Sequence, residues 1–388
     1  MLSAESYRGR EQTFVKHFVL ENYLERLVFK VGGVKGWVRT INYTDGFAGP
    51  WESGTGTLAD TSPHIALEKL RKVRRDLAAI GHAPPAMRCL FIEKDANAFR
   101  RLNDSIAGVS DVTAVALHGE FETLVTRVRE FAHTGEKPFS FVFIDPTGWS
   151  GYGLNAIKSL LVQEPGEVMI NFMTKFVVRF VDDPKSDALA TFVDLYGTDA
   201  YRSEWKGLQG LDREDAIVSA YCERVKDECR FRYVVSAVVL DPLKSRTHYH
   251  LVYGTRHAEG LRVFRDVERR AMEAQEHVRA EAQQRDRAKS GQMEIFAAPV
   301  LARTYYDELR TRYLGRSRGV VEAMLRIRKR VPFDQVKLTA LEHNMTWTSD
   351  VVGWLEEWRK AKKLCYEGLG PNERRPKDDA GHFVSWTA

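Results

Sequence analysis

An acid directly follows an apolar run near the middle of the chain. Residues 139–144 are apolar on both alternating faces apart from one serine, which is typical of a buried strand with helices on either side. The run leads into Asp145, Pro146 and, a little further on, Trp149. Pro146 fixes the turn, so Asp145 could accept a hydrogen bond or proton from an amino group while Trp149 offers a stacking face. A rigid Asp-Pro turn without chemistry is the alternative.

A second group of chemical residues follows the strand candidate 39–44. Asp45, Gly46, Phe47 and Gly49 belong to the sequence Asp-Gly-Phe-Ala-Gly-Pro. Glycines at a strand end let a ligand approach the backbone, and in doubly wound sheets this turn borders the cofactor crevice. The pattern is not G-x-G-x-x-G and holds no basic residue for a pyrophosphate, which argues against a dinucleotide. An acidic start suits a cofactor with a positive amino group, such as S-adenosylmethionine. A tight turn that binds nothing remains open.

Polar residues also follow the next two strand candidates. Glu93 comes after residues 87–92, where a carboxylate can accept both hydroxyls of a ribose. His118 and Glu120 come after residues 112–116 and could meet the edge of an adenine. An exposed acid after a strand, or an ordinary helix start, would give the same pattern. We therefore expect a nucleoside-containing cofactor to lie along these strand ends, with the alternatives open.

Strand and helix patterns alternate through the first half of the chain. The strand candidates are residues 39–44, 87–92, 112–116, 139–144 and 167–172, and the helical patterns between them are 63–79, 97–106, 121–131 and 154–163. Ser62 is a suitable N-cap and Pro63 a suitable first residue for one helix. This alternation predicts a doubly wound α/β sheet. Residues 232–240 and 247–253 predict a hairpin.

The pattern divides the chain into five segments. We expect a Rossmann-like core, a helical insertion with Trp205 and Tyr221 on apolar faces, the last core strands, a solvated charged helix with a joint at 291–299, and a winged-helix-like basic domain. Their bounds are 1–173, 174–231, 232–260, 261–300 and 301–388.

The basic excess of the chain lies at its C-terminal end. Lys plus Arg number 58 against 53 Asp plus Glu, a net charge of +5, and residues 303–388 hold 17 basic against 12 acidic residues. Such a local excess suggests contact with a polyanion, although a solvated surface is equally consistent with it. The expected contacts to a nucleic-acid backbone are Lys337, Arg359, Lys360, Lys362 and Lys363. A docking face for a protein is the other possibility.

Other classes of protein fit the sequence less well. Its four cysteines are scattered without a Cys-x-x-Cys spacing, so we expect a reducing cytoplasm and neither a disulfide framework nor a zinc site. No long apolar stretch or secretion signal is visible, so no membrane association is expected. His248 and His250 could form a metal pair, but no third ligand has a suitable spacing.

Four motifs in order resemble the three-Cys-motif partner protein family (TcmP). They are Asp-Gly-Phe-Ala-Gly-Pro, Thr-Ser-Pro, Phe-Ile-Glu-Lys-Asp and Phe-Ile-Asp-Pro-Thr-Gly-Trp, within residues 10–255. This family is similar to class I S-adenosylmethionine-dependent methyltransferases. The resemblance implies a seven-stranded sheet with an antiparallel last strand, S-adenosylmethionine as cofactor, and a radical-SAM-like protein with a three-cysteine motif as partner.

A more distant resemblance is to ribosomal RNA adenine-N6 methyltransferases of the RlmJ type. It is carried by Tyr7-Arg8 and by Val15-Lys16-His17, and it implies that Lys16 helps to hold the cofactor or to close the site. The amino-methyltransferase signature Asp-Pro-Pro-Tyr is replaced here by Asp-Pro-Thr-Gly, with Trp149 one position late.

The sequence motifs and the charge distribution are compatible with two functions. The first is an S-adenosylmethionine-dependent methyltransferase that acts on nucleic acid, with a base amino group as acceptor, Asp145 orienting it and Trp149 stacking on an extruded base. The second is a non-catalytic DNA-binding scaffold that recruits a repair or modification enzyme. The target base and the strand type are not indicated by the sequence.

Overall fold

The computed structural model describes residues 2–49, 58–182, 186–289 and 304–387. The joint expected at 291–299 lies outside these residues, and so does Pro50 of the first glycine-rich motif. Among the described residues, no helix combines the length and the apolar composition that crossing a membrane requires.

A seven-stranded sheet lies at the centre of residues 40–255. Its strands are β1 (Thr40–Asp45), β2 (Ala86–Glu93), β3 (Thr113–His118), β4 (Pro138–Ile144), β5 (Gly166–Phe172), β6 (Tyr233–Leu240) and β7 (Thr247–Thr255). The strand order is β3-β2-β1-β4-β5-β7-β6, and β7 runs antiparallel to both of its neighbours. This is the Rossmann-like sheet of class I methyltransferases, so the predicted fold class is confirmed.

Helices cover both faces of this sheet. They are α1 (Glu11–Gly33), α2 (Ser62–Ala79), α3 (Ala96–Ile106), α4 (Phe121–Ala132), α5 (Leu154–Leu161), α6 (Thr174–Phe180), α7 (Ser186–Tyr196), α8 (Gly210–Glu228) and α9 (Ala258–Lys289). Strand β4 shows why both faces are apolar. Phe141 and Phe143 enter the core formed with α1, α2 and α9, whereas Val142 and Ile144 enter the core formed with α4, α5 and α8.

The segment between β5 and β6 is helical, as the sequence predicts. It contains α6, α7 and α8, and its large aromatic residues Trp205 and Tyr221 are buried. These side chains pack in the same core as the apolar residues of α4 and α5. The helices therefore extend one face of the sheet.

One face of the charged helix α9 is buried in the core, so the prediction of a solvated helix is wrong for that face. Arg265 is 1% exposed and donates hydrogen bonds to Glu268 (2.8 Å) and to the backbone carbonyls of Ser236 and Leu341. Gln275 is also buried and accepts a hydrogen bond from the Leu240 amide (2.9 Å). Charged residues can line a buried helix face when each is paired, and composition alone does not distinguish this case.

The start of α2 differs from its sequence prediction in one contact. The helix begins at Ser62 with Pro63 in its first turn, but the N-cap residue is Thr61 and no side chain caps the helix. The Ser62 hydroxyl instead donates to Asp45 Oδ2 (2.6 Å). The Ser62 hydroxyl, expected to cap the helix, therefore hydrogen-bonds to the buried Asp45 carboxylate instead.

Residues 304–387, called here the C-terminal unit, form a small helical and sheet structure. Its elements are α10 (Thr304–Arg328), β8 (Arg330–Pro332), α11 (Phe333–Leu341), α12 (Thr348–Lys360), β9 (Leu364–Glu367) and β10 (Phe383–Trp386). The strands pair in the order β8-β10-β9. Val321, Leu325, Trp354, Trp358 and Val384 belong to a core of its own. This element order is the one expected of a winged helix.

Candidate cofactor and acceptor clefts

Two clefts open at the carboxyl edge of the parallel strands and meet at the end of β4. The wide cleft, of about 780 Å³, lies over the ends of β1, β2, β3 and β4. The narrow cleft, of about 390 Å³, lies between α1, the start of α2, the end of β5 and the start of β7. Both are lined by Phe47, Gly49, Asp145, Pro146 and Thr147. Because parallel strands bring their carboxyl ends to one edge, motifs distant in sequence meet here.

The wide cleft has an acidic lining. Its carboxylates are Glu93, Asp95, Glu120, Glu122 and Asp145, against the cations Lys94 and Arg101. Burial raises the pKa of Glu122, although the Gly153 amide donates a hydrogen bond to its carboxylate. A cleft with more carboxylates than cations favours a ligand with positive charge.

Glu93 lies in the wide cleft at the end of β2, where the sequence places it. Its side chain is largely buried, and Oε1 accepts a hydrogen bond from the Asp95 amide (2.7 Å). Asp95 in turn caps α3 by accepting from the amides of Asn97 and Ala98. The hydrogen bond from the Asp95 amide holds one oxygen of Glu93 in place, so the carboxylate is preorganised for a pair of hydroxyl donors.

Asp45 lies behind the cleft wall and not in it. It is fully buried, and it is not among the residues that line either cleft. Its Oδ1 accepts from the Phe47 amide (3.1 Å) while Oδ2 accepts from Ser62. Burial raises the pKa of Asp45 to about 7. The residue therefore shapes the turn from Gly46 to Gly49, and it does not line the cleft in which a direct contact with a cofactor amino group was predicted.

Of the other residues predicted around the cofactor, some line the wide cleft and one, His118, does not. Gly46, Phe47, Gly49 and Glu120 line the wide cleft. A Cβ on Gly46 would lie 3.0 Å from the Phe121 ring, so a larger residue there would need that ring to shift.

His118 does not line the wide cleft. Its ring packs against Phe99 with centroids 5.1 Å apart, and Nε2 lies 3.1 Å from the Lys94 carbonyl. These contacts place it beside the loop after β2, and the structure gives it no position against an adenine edge.

Asp145 stands between the two clefts with both carboxylate oxygens engaged. Lys16 of α1 donates to Oδ2, and the Asn171 amide nitrogen donates to Oδ1 (2.8 Å). The side chains of Lys16 and Asp145 are 11% and 12% exposed. Two residues far apart in the sequence thus hold the carboxylate at the junction, and Pro146 is buried beside it.

Trp149 lies outside both clefts. Its ring stacks on Phe192 with centroids 5.7 Å apart, and it also contacts Phe176 and Phe180. The expectation that Trp149 stacks on an extruded base inside the site is therefore not met in this structure. An indole beside three phenyl rings gains more by packing among them than by facing a polar cleft.

The narrow cleft contains polar atoms without partners in the part of the chain that the structure describes. Asn171 Oδ1 and His248 Nδ1 are buried and unpaired there. Burial, with the nearby charges of Lys175 and Arg246, lowers the pKa of His248 to about 4, so the imidazole is neutral at neutral pH. His17 Nδ1 is already engaged with the Tyr7 hydroxyl (3.0 Å). Because both atoms border the cleft, they are available to hydrogen-bond a ligand or a water molecule there.

The five predicted nucleic-acid contacts of the C-terminal unit have different surroundings. Lys337 is 4% exposed and donates to both carboxylate oxygens of Asp378, so it is not available to a backbone phosphate. Arg359 is exposed but pairs with Glu356 (2.9 Å). The other three of the five are exposed and have no ion pair within the described part of the chain: Lys360, Lys362 and Lys363.

Sequence inspection overlooked part of the narrow cleft. Asn171 interrupts the apolar run of β5, and a polar residue inside a buried strand was the available indication. Arg10 and Tyr249 reach the cleft only through packing of α1 against β7, which no local pattern predicts. His250, the other half of the suggested metal pair, is buried and bonded to Thr174 (2.7 Å). No cluster of three or more metal-ligating side chains occurs among the described residues.

Comparisons with known proteins add little to this geometry. No family model and no curated protein matches the chain. A solved structure of "Loganic acid methyltransferase with SAH" is similar over 75% of this chain and 94% of its own, with 10% identity and a TM-score of 0.34. A likeness at that score carries no argument. The class of the fold is therefore taken from the strand order and the antiparallel β7.

Proposed function

We propose that the chain is an S-adenosylmethionine-dependent methyltransferase. The observation that carries this proposal is the junction of two clefts at Asp145 and Pro146, on the carboxyl edge of a sheet with class I methyltransferase order. One cleft would hold the methyl donor and the other the acceptor. Methyl transfer depends mainly on holding the two reactants in line, and it needs few strong acids or bases.

The wide cleft suits the cofactor in charge and in its donor set. Its carboxylates outnumber its cations, which favours the sulfonium and amino groups of S-adenosylmethionine. Glu93 would accept hydrogen bonds from the ribose hydroxyls, and Gly46 and Gly49 would allow close approach. The cofactor, when bound, supplies an electrophilic methyl group on sulfur. Asp45 would act indirectly, by fixing the turn that forms the wall.

The narrow cleft suits a polar acceptor with hydrogen-bonding groups. Asn171 Oδ1 and His248 Nδ1 offer unpaired polar atoms, and Asp145 borders both clefts. A nitrogen acceptor held there would receive the methyl group that the cofactor, when bound, supplies, and its proton would pass to solvent water. Asp145, held by Lys16 and Asn171, would orient the amino group for this attack.

The finer part of the proposal is that the acceptor is an amino group of a nucleobase in DNA or RNA. Support comes from the exposed lysines Lys360, Lys362 and Lys363 of the C-terminal unit and from the cations near His248. The resemblance to the TcmP family adds a protein partner, a radical-SAM-like protein with a three-cysteine motif. Gel filtration of the two coexpressed proteins tests it: a joint peak supports the partner and separate peaks remove it.

A non-catalytic scaffold is the alternative function, and one observation favours it. Both oxygens of Asp145 are engaged by protein donors, and Thr147 and Gly148 stand where amino-methyltransferases carry Pro and Tyr. In such a protein the wide cleft could still bind a cofactor without any transfer. Cofactor binding and methyl transfer must therefore be measured separately.

Calorimetry with S-adenosylhomocysteine, followed by transfer of a tritiated methyl group, tests the proposal. We expect saturable binding, and label in single-stranded RNA or DNA that appears as N-methylated nucleosides after digestion. Absence of binding would refute the methyltransferase assignment. Binding without transfer to any nucleic acid would favour the scaffold.

A further inference from the structure

A short helix next to the narrow cleft presents cations and aromatic rings together. In α6, Lys175 and Arg179 are four residues apart and so lie on the same side of the helix. Lys175 Nζ lies 4.9 Å from the ring centre of Phe176, and the Arg179 guanidinium lies 4.9 Å from that of Phe180. We call these four residues the α6 strip. The two positive charges of the strip therefore lie beside aromatic rings.

The aromatic part of the strip is anchored by the loop that follows β4. Trp149 lies 5.0 Å from Phe180 and 6.0 Å from Phe176, measured between ring centroids. Phe176, Phe180 and Trp149 are each half-buried, so one part of each ring packs inward and another part remains accessible. Alternating rings and cations are the combination on which single-stranded nucleic acids bind, because every base has a face that can stack.

The ion pairing of the α6 strip differs from that of α12, the helix that a winged-helix protein would insert into DNA. Within the described parts of the chain, no carboxylate lies within ion-pair distance of Lys175 or Arg179. Helix α12 instead carries Glu356 and Glu357, which pair with Arg359 and Arg318. Charge complementarity to a phosphate backbone is therefore better at α6 than along α12.

The strip leads directly to the narrow cleft. Asn171 and Met173, at the end of β5, line the cleft and precede α6. Strand β7 is antiparallel to β5, with Phe172 opposite His250, so the start of β7 lies at the same edge. Arg246 comes just before β7, where it pairs with Asp241 (2.8 Å). A backbone on the strip would thus hold its bases next to the cleft mouth.

We infer that the α6 strip binds a single-stranded nucleic acid and guides one of its bases into the narrow cleft. This inference rests on the proposed function, which it extends by naming the strand type and the surface. Lys175 and Arg179 contact phosphates, while Phe176 and Phe180 contact bases. The base must be unpaired to reach Asp145, which lies at the junction of two clefts and is 12% exposed, and a single strand presents such a base without the cost of opening a duplex.

Two variants with equal charge change test the inference. Lys175→Gln/Arg179→Gln removes two charges from the strip, and Lys360→Gln/Lys362→Gln removes two from the C-terminal unit as the matched control. Binding of a fluorescein-labelled mixed-sequence DNA single strand is measured by anisotropy over a range of salt. Each lost phosphate contact should reduce the salt slope by about 0.7. We expect a reduction of about 1.4 for the strip variant and a smaller one for the control.

Three results would overturn the inference. They are a strip variant with the parental slope, a control variant with the larger loss, and tighter binding of a duplex of the same sequence. Melting temperature and affinity for S-adenosylhomocysteine should stay at parental values in both variants. If the double variant is unstable, Arg179→Gln at its exposed position should give half of the slope change. If the parent protein binds no single strand, the inference is refuted. If the parent protein does not bind S-adenosylhomocysteine, the methyltransferase assignment is refuted.

Discussion

Lys16 and Asp145 form an ion pair that joins α1 to the end of β4 at the junction of the two clefts. Each side chain is about one-tenth exposed, so neither charge is well solvated. An acid without a partner at this position could be removed at little cost to folding, and the sequence alone suggests that outcome for Asp145→Ala. The ion pair changes the expectation, because the variant would leave the Lys16 ammonium without its partner.

The first prediction is that Asp145→Ala lowers both methyl transfer and stability. We expect a loss of about 2–3 kcal/mol in the free energy of unfolding, less than for a fully buried pair. Adding Lys16→Met should recover part of that loss, since no unpaired charge then remains. Urea denaturation of the single and double variants measures this coupling. Strictly additive losses would mean that the two side chains do not stabilise each other.

The second prediction concerns Glu93, whose carboxylate lines the wide cleft. Glu93→Ala should weaken binding of S-adenosylhomocysteine by about 1–3 kcal/mol, because two hydroxyl hydrogen bonds are lost. Asp104→Ala, which removes an exposed acid from the same neighbourhood on α3, is the control and should leave the affinity unchanged. Calorimetry measures both. Equal losses in the two variants would point to a general charge effect, and parental affinity in Glu93→Ala would remove the residue from the site.

The third prediction is a pH dependence of stability that arises from Asp45. Its pKa is raised from 3.8 to about 7 by burial, so the folded state binds the proton more tightly than the unfolded state. The contribution to stability is complete below about pH 4 and is lost as the pH rises towards about 7. Asp45→Asn resembles the protonated form and should be more stable than the parent at about pH 8. The difference should shrink on acidification. A difference that stays constant with pH would exclude this cause.

Local patterns in the sequence were enough to predict the central strands of the sheet. Residues 139–144 and 167–172 are mostly apolar on both faces, interrupted by Ser140, Glu167 and Asn171, and the structure has strands β4 and β5 there. Short runs of this kind, alternating with helical patterns, are typical of strands covered on both faces. The acids that end β2 and β4 could be placed at one edge because parallel strands share their direction. Glu93 and Asp145 accordingly border the same cleft.

Contacts between distant segments explain what the sequence did not predict. Trp149 follows Asp145 closely, yet its ring is drawn to Phe176 and Phe192 of helices that come later in the chain. Lys337 is one basic residue among many until Asp378 is found beside it. In each case the partner is supplied by tertiary packing, which spacing along the chain does not encode.

The last prediction concerns the contact of the C-terminal unit with α8. Asp215 accepts hydrogen bonds from Arg312 (2.7 Å), from Arg316 and from the Tyr313 hydroxyl (2.7 Å). Its side chain is 14% exposed, whereas that of Asp212, which binds the same two arginines, is 58% exposed. Water screens an exposed pair strongly and a buried one weakly, so the two acids should contribute differently although they share partners.

We expect Asp215→Ala to lower the free energy of unfolding by about 1–3 kcal/mol, because a buried hydroxyl loses its acceptor and two guanidinium groups each lose one of theirs. Asp212→Ala is the matched control and should cost less than Asp215→Ala, a smaller loss that high salt abolishes. Urea denaturation at low and high salt measures both variants. If the α8 contact holds the C-terminal unit in place, Asp215→Ala should also expose that unit to limited proteolysis under native conditions. Equal and salt-sensitive losses in the two variants would mean that the contact is a surface ion pair only, and that the apolar packing of Tyr313 and Leu309 against the rest of the chain holds the unit in place.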